Sequence, residues 1–560
     1  MPKYAIGLDY GTNSCRSLIV NLETGSEVAS HVFNYPSGQM GVITDPRDPN
    51  VARQSPADYR AGLIEVVLQG VAKAKAADPE FSAMRVVGIG VDTTGSTPMP
   101  VDREGTPLAF RAEFKDNLNA QAWLWKDHTS HAEAAEITAL AHTMRPQYLA
   151  KCGGTYSSEW FWSKILRCKR TDPRVFDAAF SFVELCDWLP ALLTGNEDPL
   201  ALKRSVCAAG HKALYAKTWG GLPDKEFLAA LDPALAGLRD RLYGEAHTAD
   251  VKAGELCEAW AGLLGLSAGI AVAVGAFDAH MGAVGAGCKE GSLAKILGTS
   301  TCDLLVAKND RPLQDVPGVC GIVDGSVIPG YYGIEAGQSA VGDIFLWYVN
   351  RLVPATEGVP QGATFAALDE EASRLKPGES GLLALDWNNG NRCVLTDVRL
   401  SGLLLGQTLH TTAAEIYRAL VEATAFGARM IIDRVREYGV SVTQVINCGG
   451  LAVKSPFLMQ VYADVLDMSM AVAASDQTCA LGAALFGAVA AGEFADVETA
   501  QRQVCRIRER VYRPTPENVA VYAELFKLYR QLHDGFGVAS WNGSMANVMK
   551  ELIAIRERQR

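Results

Sequence analysis

Three aspartates of this 560-residue chain each stand where an apolar run stops. Asp9 closes Ala5-Ile6-Gly7-Leu8, Asp92 closes Val86 to Val91, and Asp278 closes Ile270 to Phe277. Such runs read as buried strands, and in open α/β sheets the carboxyl ends of strands face the ligand crevice. A carboxylate there can take the proton of an attacking hydroxyl, or hold magnesium against nucleotide phosphates. A lone aspartate at such a place is more often a turn or a helix cap, so the weight rests on the position shared by Asp9 and Asp278. Asp9 lies two residues before a Gly-Thr turn, which suits a metal; Asp278 opens onto the small-residue run Met281 to Gly287, which suits a base. The hydroxyls of Thr93, Thr94, Ser96 and Thr97 beside Asp92 could bind a polyol.

The turn after Asp9 occurs twice, as Gly11-Thr12-Asn13-Ser14-Cys15 and as Gly298-Thr299-Ser300-Thr301-Cys302. Glycine permits the positive φ of a tight hairpin, and the hydroxyls and exposed N–H groups make a concave donor set for phosphate oxygens. The duplication predicts two related halves that hold a nucleotide between them. Farther on, the strand pattern Val442 to Cys448 meets Gly449-Gly450 and then a helix signalled by Ser455-Pro456. Paired glycines let adenine or its ribose approach the backbone, although a Gly-Gly turn alone is usually just a loop. A helix from Ser475 through Leu481-Gly482-Ala483-Ala484 reads as tight helix packing at least as readily as ligand contact.

These residues need a scaffold in which strands alternate with helices. Tyr4 to Asp9 and Ser17 to Asn21 are predicted to form a hairpin, Glu27 to Phe33 a third strand, and Ser55 to Ala74 a helix with Ser55 as cap and Pro56 as first residue. Residues 129–240 read as helix-rich, and 268–277 as one buried strand. The fold class expected is α/β, two-lobed, with duplicated domains around a central cleft. Its units are 1–270, which carries the first phosphate loop and the sugar contacts, 271–535, which carries the base, second loop and adenosine turn, and the tail 536–560. Hinges are expected near 270 and near Gly402 to Gly406.

A net charge of −11, from 52 basic and 63 acidic residues, argues against a nucleic-acid or anionic-membrane partner. The start Met1 to Gly7 has no apolar leader pattern, and the apolar run Ala480 to Gly492 is too short to span a bilayer, so a cytoplasmic location is expected. The thirteen cysteines are expected to be reduced and mostly buried, with Cys15 and Cys302 both entering a core.

Four stretches, Gly88 to Pro98, Leu124 to Thr129, Tyr156 to Trp162 and Gly275 to Ala286, carry a resemblance to the FGGY carbohydrate kinases of the actin and hexokinase superfamily. It extends from Ile6 to about Ala491. The resemblance implies an actin/hexokinase-like (ribonuclease H-like) ATPase fold and a kinase that uses ATP and Mg2+ on a ketopentose, taking L-ribulose to its 5-phosphate in arabinose catabolism. Asp278 is implied as the catalytic base and Asp9 as the magnesium acid. Gly11, Thr12, Asn13, Ser14 and Arg16 match the first phosphate loop, Gly298, Thr299 and Ser300 the second, and Gly449, Gly450 and Ala452 the adenosine motif. Ser96, Lys212, Asp278 and Glu335 are implied as sugar contacts, and His280 is expected to be structural. The alternatives are D-ribulose, D-xylulose or glycerol as substrate, or a chaperone-like ATPase that ignores sugars. The expected partners are ATP, the ketopentose and a second copy in a homodimer. The chain departs from the resemblance around 350–395 and at Trp541 to Arg560, which reads as one charged helix.

Overall fold

The computed structural model describes residues 1–353 and 361–560. Part of the divergent 350–395 stretch, residues 354–360, lies outside the described residues. Two mixed sheets dominate the rest. The first is built from β1 (Tyr4–Tyr10), β2 (Ser14–Asn21), β3 (Glu27–Asn34), β4 (Val86–Thr93), β5 (Lys252–Glu255), β6 (Ala271–Ala273) and β7 (Ala276–Phe277), in the order β5-β6-β4-β1-β2-β3 with β7 also on β4. The second contains β8 (Gly291–Leu297), β9 (Thr301–Lys308), β10 (Gly321–Asp324), β11 (Tyr331–Ala336), β12 (Val442–Cys448) and β13 (Met470–Val472), in the order β10-β11-β9-β8-β12-β13. Five strands repeat the same path: three antiparallel neighbours, then two parallel additions. The duplicated α/β architecture expected from the two Gly-Thr turns is therefore present.

Local sequence accounts for most elements. Every residue of β1 is buried, as befits a central strand covered on both faces. The helix α1 (Pro56–Ala77) starts where expected, with the Ser55 hydroxyl accepting from the Ala57 N–H and proline at the first position. The strand expected over 268–277 is instead broken into β6 and β7. A side chain at Gly275 would meet the Cys186 carbonyl oxygen at 2.1 Å, so the chain turns there around the helix behind it. The tail also differs: helix begins only at Val548, and Val548, Leu552 and Ile555 are buried, so an apolar stripe rather than charge fixes it.

Two helices join the sheets. α2 (Asp278–Gly285) follows β7, and α3 (Thr478–Ala490) packs on α2, β1 and β4. Its small residues serve close approach. A Cβ at Gly7 would stand 1.7 Å from the Ala480 carbonyl oxygen, and one at Gly482 would stand 1.9 Å from that of Met281. α3 thereby brings residues of both sequence halves into one buried cluster, from Ala5 and Leu18 to Leu304 and Phe486.

Candidate active site

Strand register assembles the acids. β1 and β4 run parallel with Asp9 opposite Asp92, and β7 sets Phe277 opposite Thr93, so Asp278 opens α2 at the same sheet end. Oxygens of Asp9 and Asp92 and the Cys479 thiol lie within 4.8 Å of one another, and Arg16 Nε stands 3.4 Å from Asp9 Oδ2. Burial pushes the Asp9 carboxyl up against the pull of Arg16, and burial with the charges of Asp9 and Asp278 pushes Asp92 well above the carboxylate range. Asp278 has part of its surface on a cavity but is otherwise enclosed by protein. Burial, then the Asp9 charge, raise it to about 7.

Both oxygens of Asp92 lack a hydrogen-bond partner. Two enclosed carboxylates sharing one partly exposed cation are a fit for a hard dication with oxygen ligands, and Asp9 with Asp92 therefore suits magnesium. The Cys479 thiol, kept protonated by burial, is too soft to add to such a site. The resemblance implies Asp9 alone as the metal acid; the strand register brings Asp92 beside it.

A cavity of about 180 Å³ has Thr12, Trp125, Asp278, Ser300, Lys212 and Glu335 among its walls. Residues from both Gly-Thr turns, the candidate base and two implied sugar contacts thus share one space. Lys212, the last residue of helix Val206–Lys212, reaches from the first sequence half to Glu335 on β11, with Nζ 3.0 and 3.1 Å from the two carboxylate oxygens. Burial would raise Glu335, yet Lys212, then His211 and His280, outweigh it and hold the carboxyl well below its usual range. His211 Nδ1 and His280 Nε2 lie 3.3 and 3.9 Å from Glu335 Oε2. Burial depresses both imidazoles, His280 to about 4, so their pull on Glu335 adds to that of Lys212 only in acid.

The turns differ in exposure. In the first, Gly11 N–H donates to the Ser14 carbonyl at 2.9 Å, Trp125 Nε1 donates to Thr12 Oγ1 at 3.0 Å, and Asn13 is exposed. Ser14 and Arg16 already belong to β2, and Arg16 donates to Gln477 at the start of α3. In the second, Gly298 and Thr299 are exposed and the Thr299 carbonyl accepts from Val341 N–H at 2.8 Å. The Gly449-Gly450 turn abuts it. Gly449 has φ +92°, which excludes a side chain, and a Cβ there would meet the Leu297 carbonyl at 2.3 Å. Gly450 is exposed and starts a short helix, Gly450–Lys454, ahead of the expected one at Pro456; Ala452 is buried behind the turn.

Ser96 stands apart from the cavity wall. It is fully buried, its hydroxyl donates to Glu184, and its carbonyl accepts from Lys164 Nζ at 2.8 Å, while Gly95 faces the cavity. Lys164 also donates to the Trp123 and Leu124 carbonyls, so with Glu184 it fixes the loop from inside. Sequence reasoning missed both, as it missed Trp125, Glu159 and Arg392 on the cavity wall. Trp125 and Glu159 fall within stretches that carried the resemblance; Arg392 has no local signal. Cys302 packs against a core cluster, as expected, but a different one from that of Cys15, and it also lines the cavity.

Two phosphate-type turns, a raised aspartate and a charged polyol-sized pocket on a duplicated α/β frame define a nucleotide-dependent phosphotransferase. The sequence profiles of the N- and C-terminal domains of the FGGY family of carbohydrate kinases match residues 4–285 and 293–491. The chain belongs to the FGGY family of carbohydrate kinases. It is 44% identical to a ribulokinase of Vibrio parahaemolyticus, over 95% of each chain, and 43% identical to a ribulokinase of Shouchella clausii, over 100% of this chain and 99% of the other. Among solved structures, xylulose kinase from Rhodospirillum rubrum is 23% identical with a TM-score of 0.77, covering 95% of this chain and 99% of its own. Plasmodium falciparum glycerol kinase with ADP is 15% identical with a TM-score of 0.76, covering 96% and 99%. These two likenesses bear on the fold.

Proposed function

We propose that this enzyme transfers the terminal phosphate of ATP to L-ribulose, forming L-ribulose 5-phosphate in L-arabinose catabolism. The observation that carries the reading is Asp278 on the wall of a cavity reached by both phosphate turns and by the Lys212–Glu335 pair. The names of the relatives supply the sugar. Lys212 donates to sugar oxygens, Glu335 accepts from hydroxyls, and Ser96, held by Glu184 and Lys164, shapes the loop that brings Gly95 to the pocket. Asp278 takes the proton of the sugar hydroxyl as that oxygen attacks phosphorus in line. Gly11 to Ser14 with Arg16, and Gly298 to Ser300, hold phosphate oxygens, while Gly449 and Gly450 pass the adenosine beside Leu297. Asp9 and Asp92 would hold magnesium, which supplies neutralisation of phosphate charge.

The same reading takes 1–270 and 271–535 as units that close on the substrates and exclude water, with 536–560 as a tail. It places the enzyme in the cytoplasm as a homodimer. No helix among the described residues is long and apolar enough to cross a membrane, and Phe536, Met549 and Ile553 leave apolar surface on the C-terminal helices for a second copy. The test is ADP release with Mg-ATP alone and with L-ribulose, D-ribulose, D-xylulose or glycerol, ranked by kcat/KM. The expected outcome is strong stimulation with L-ribulose first; another sugar in first place overturns the substrate, and release indifferent to sugar overturns the kinase reading.

A further inference from the structure

Thirteen free thiols are spread through the chain, and two of them touch. Cys320 Sγ and Cys393 Sγ are 3.3 Å apart although 73 residues separate them in sequence. Cys320 is partly exposed and lines a second cavity of about 410 Å³, which shares Glu159, Lys212, Glu335 and Arg392 with the catalytic cavity. Cys393 is buried against the same segment: a Cβ at Gly318 would meet the Val394 carbonyl at 2.0 Å, and Val316, Val319, Cys393 and Val394 belong to one core cluster. A small oxidant entering the larger cavity therefore meets the pair at Cys320.

Each cysteine adjoins a residue of the site. Cys320 precedes Gly321, which sits opposite Glu335 in the β10–β11 register. Cys393 follows Arg392, whose guanidinium lines both cavities and stands 3.8 Å from Glu159. We propose that Cys320 and Cys393 form a reversible disulfide on exposure to hydrogen peroxide, and that this bond lowers sugar phosphorylation by displacing Arg392 and the strand that carries Glu335. One thiolate of the pair attacks a peroxide oxygen, the O–O bond breaks, and hydroxide leaves to become water with the proton that this thiol released. The resulting sulfenic acid is attacked by the second thiol; the S–S bond forms and the oxygen departs as water with that thiol's proton. Two sulfurs are oxidised by one electron each and the peroxide is reduced by two. The hydrogen bond from the Cys320 thiol, then the nearby Arg392 charge, favour thiolate at Cys393, while the same bond and burial hold the Cys320 thiol protonated, so Cys393 is the sulfur that attacks a peroxide admitted beside Cys320.

The sulfurs must close from 3.3 Å to about 2.0 Å, and movement on the scale of 1 Å beside a substrate contact is enough to cost a large factor in rate. This step lies beyond the assignment of the sugar, because the bond is read by mass. The experiment treats the reduced, full-length protein with hydrogen peroxide, then compares a non-reducing digest by mass spectrometry with ADP release from Mg-ATP and L-ribulose. The expected result is a Cys320 peptide linked to a Cys393 peptide with loss of two hydrogens, and a fall in kcat/KM of roughly tenfold or more that dithiothreitol reverses. Cys320→Ser and Cys393→Ser are expected to keep reduced-state activity and to lose both the link and the peroxide effect, whereas Cys257→Ser, outside both cavities, keeps both. Absence of the linked peptide in the wild type overturns the proposal. So does a link without loss of activity, or inhibition that persists in both serine variants. If no sugar stimulates the enzyme, the linked peptide still decides the bond, and the phosphorylation reading fails separately.

Discussion

The two Gly-Thr hairpins are near copies in sequence, yet one residue of turn length gives them different work. In the first, Gly11 N–H bonds to the Ser14 carbonyl and Tyr10 sits opposite Cys15; in the second, Gly298 bonds to Ser300 and Leu297 sits opposite Thr301. The second turn is one residue tighter. Because strand side chains alternate, that slip turns Cys302 to the face opposite the one its sequence counterpart Cys15 occupies. Cys302 therefore stands opposite Ile296, in the place that Arg16 holds opposite Asp9. The first hairpin keeps its acid and base next to the turn, where Asp9 also faces Asp92. The second keeps its pair one position deeper, Lys295 opposite Asp303, with Nζ 2.9 Å from both oxygens and 3.1 Å from Gln338 Oε1.

Exposure separates the pairs. The Lys295 and Asp303 side chains are each 1% exposed, whereas Arg16 is 29% exposed. One ion pair serves folding, and the other remains open to a ligand. The largest effect is expected at the acid that both turns approach. Asp278→Asn should fold and bind ATP but lose roughly 10²-fold or more in sugar-dependent turnover, the scale of a lost general base; near-wild-type turnover would refute that role. In the wild type kcat/KM should rise with pH through about 7, as the Asp278 carboxyl becomes the competent base. A carboxyl raised in the folded state opposes folding as pH climbs from its unfolded value near 4 through about 7. Asp278→Asn should accordingly melt at a higher temperature than wild type at pH 8, and an unchanged difference between pH 5 and pH 8 would count against the raised value.

The sealed pair gives the sharpest contrast. Lys295→Met leaves Asp303 buried without its cation, and a loss of about 3 kcal/mol or more is expected in denaturant unfolding. Its failure to destabilise would erase the distinction between the hairpins. The smallest effect is expected at the open pair. Asp9→Asn should leave stability close to wild type and raise the magnesium needed for half-maximal activity by roughly ten- to a hundredfold, read from a titration of ADP release against magnesium. An unchanged titration would remove Asp9 from the metal site.

Much of the frame was legible because it is written in local pattern. The apolar runs that end in Asp9 and Asp92, the Ser55-Pro56 start, and the Gly449-Gly450 turn are each contained within a few neighbours. The broken strand at Gly275 was not, since its cause is the Cys186 carbonyl on a distant helix. Ser96 was found by its motif, yet its hydroxyl is occupied by Glu184, 88 residues away, and no periodicity points to that partner.

The sequence by itself determined the duplication, the acids at strand ends and the residue types of the phosphate turns, because strand alternation, turn chemistry and caps act over a few residues. Tertiary structure alone decided which acids share a site, which face Cys302 occupies, and that Lys212 meets Glu335 across 123 residues and Cys320 meets Cys393 across 73. Those outcomes depend on strand order, on a one-residue register and on the close seating of α3 between the sheets. They follow from packing of the whole chain, which no local window contains.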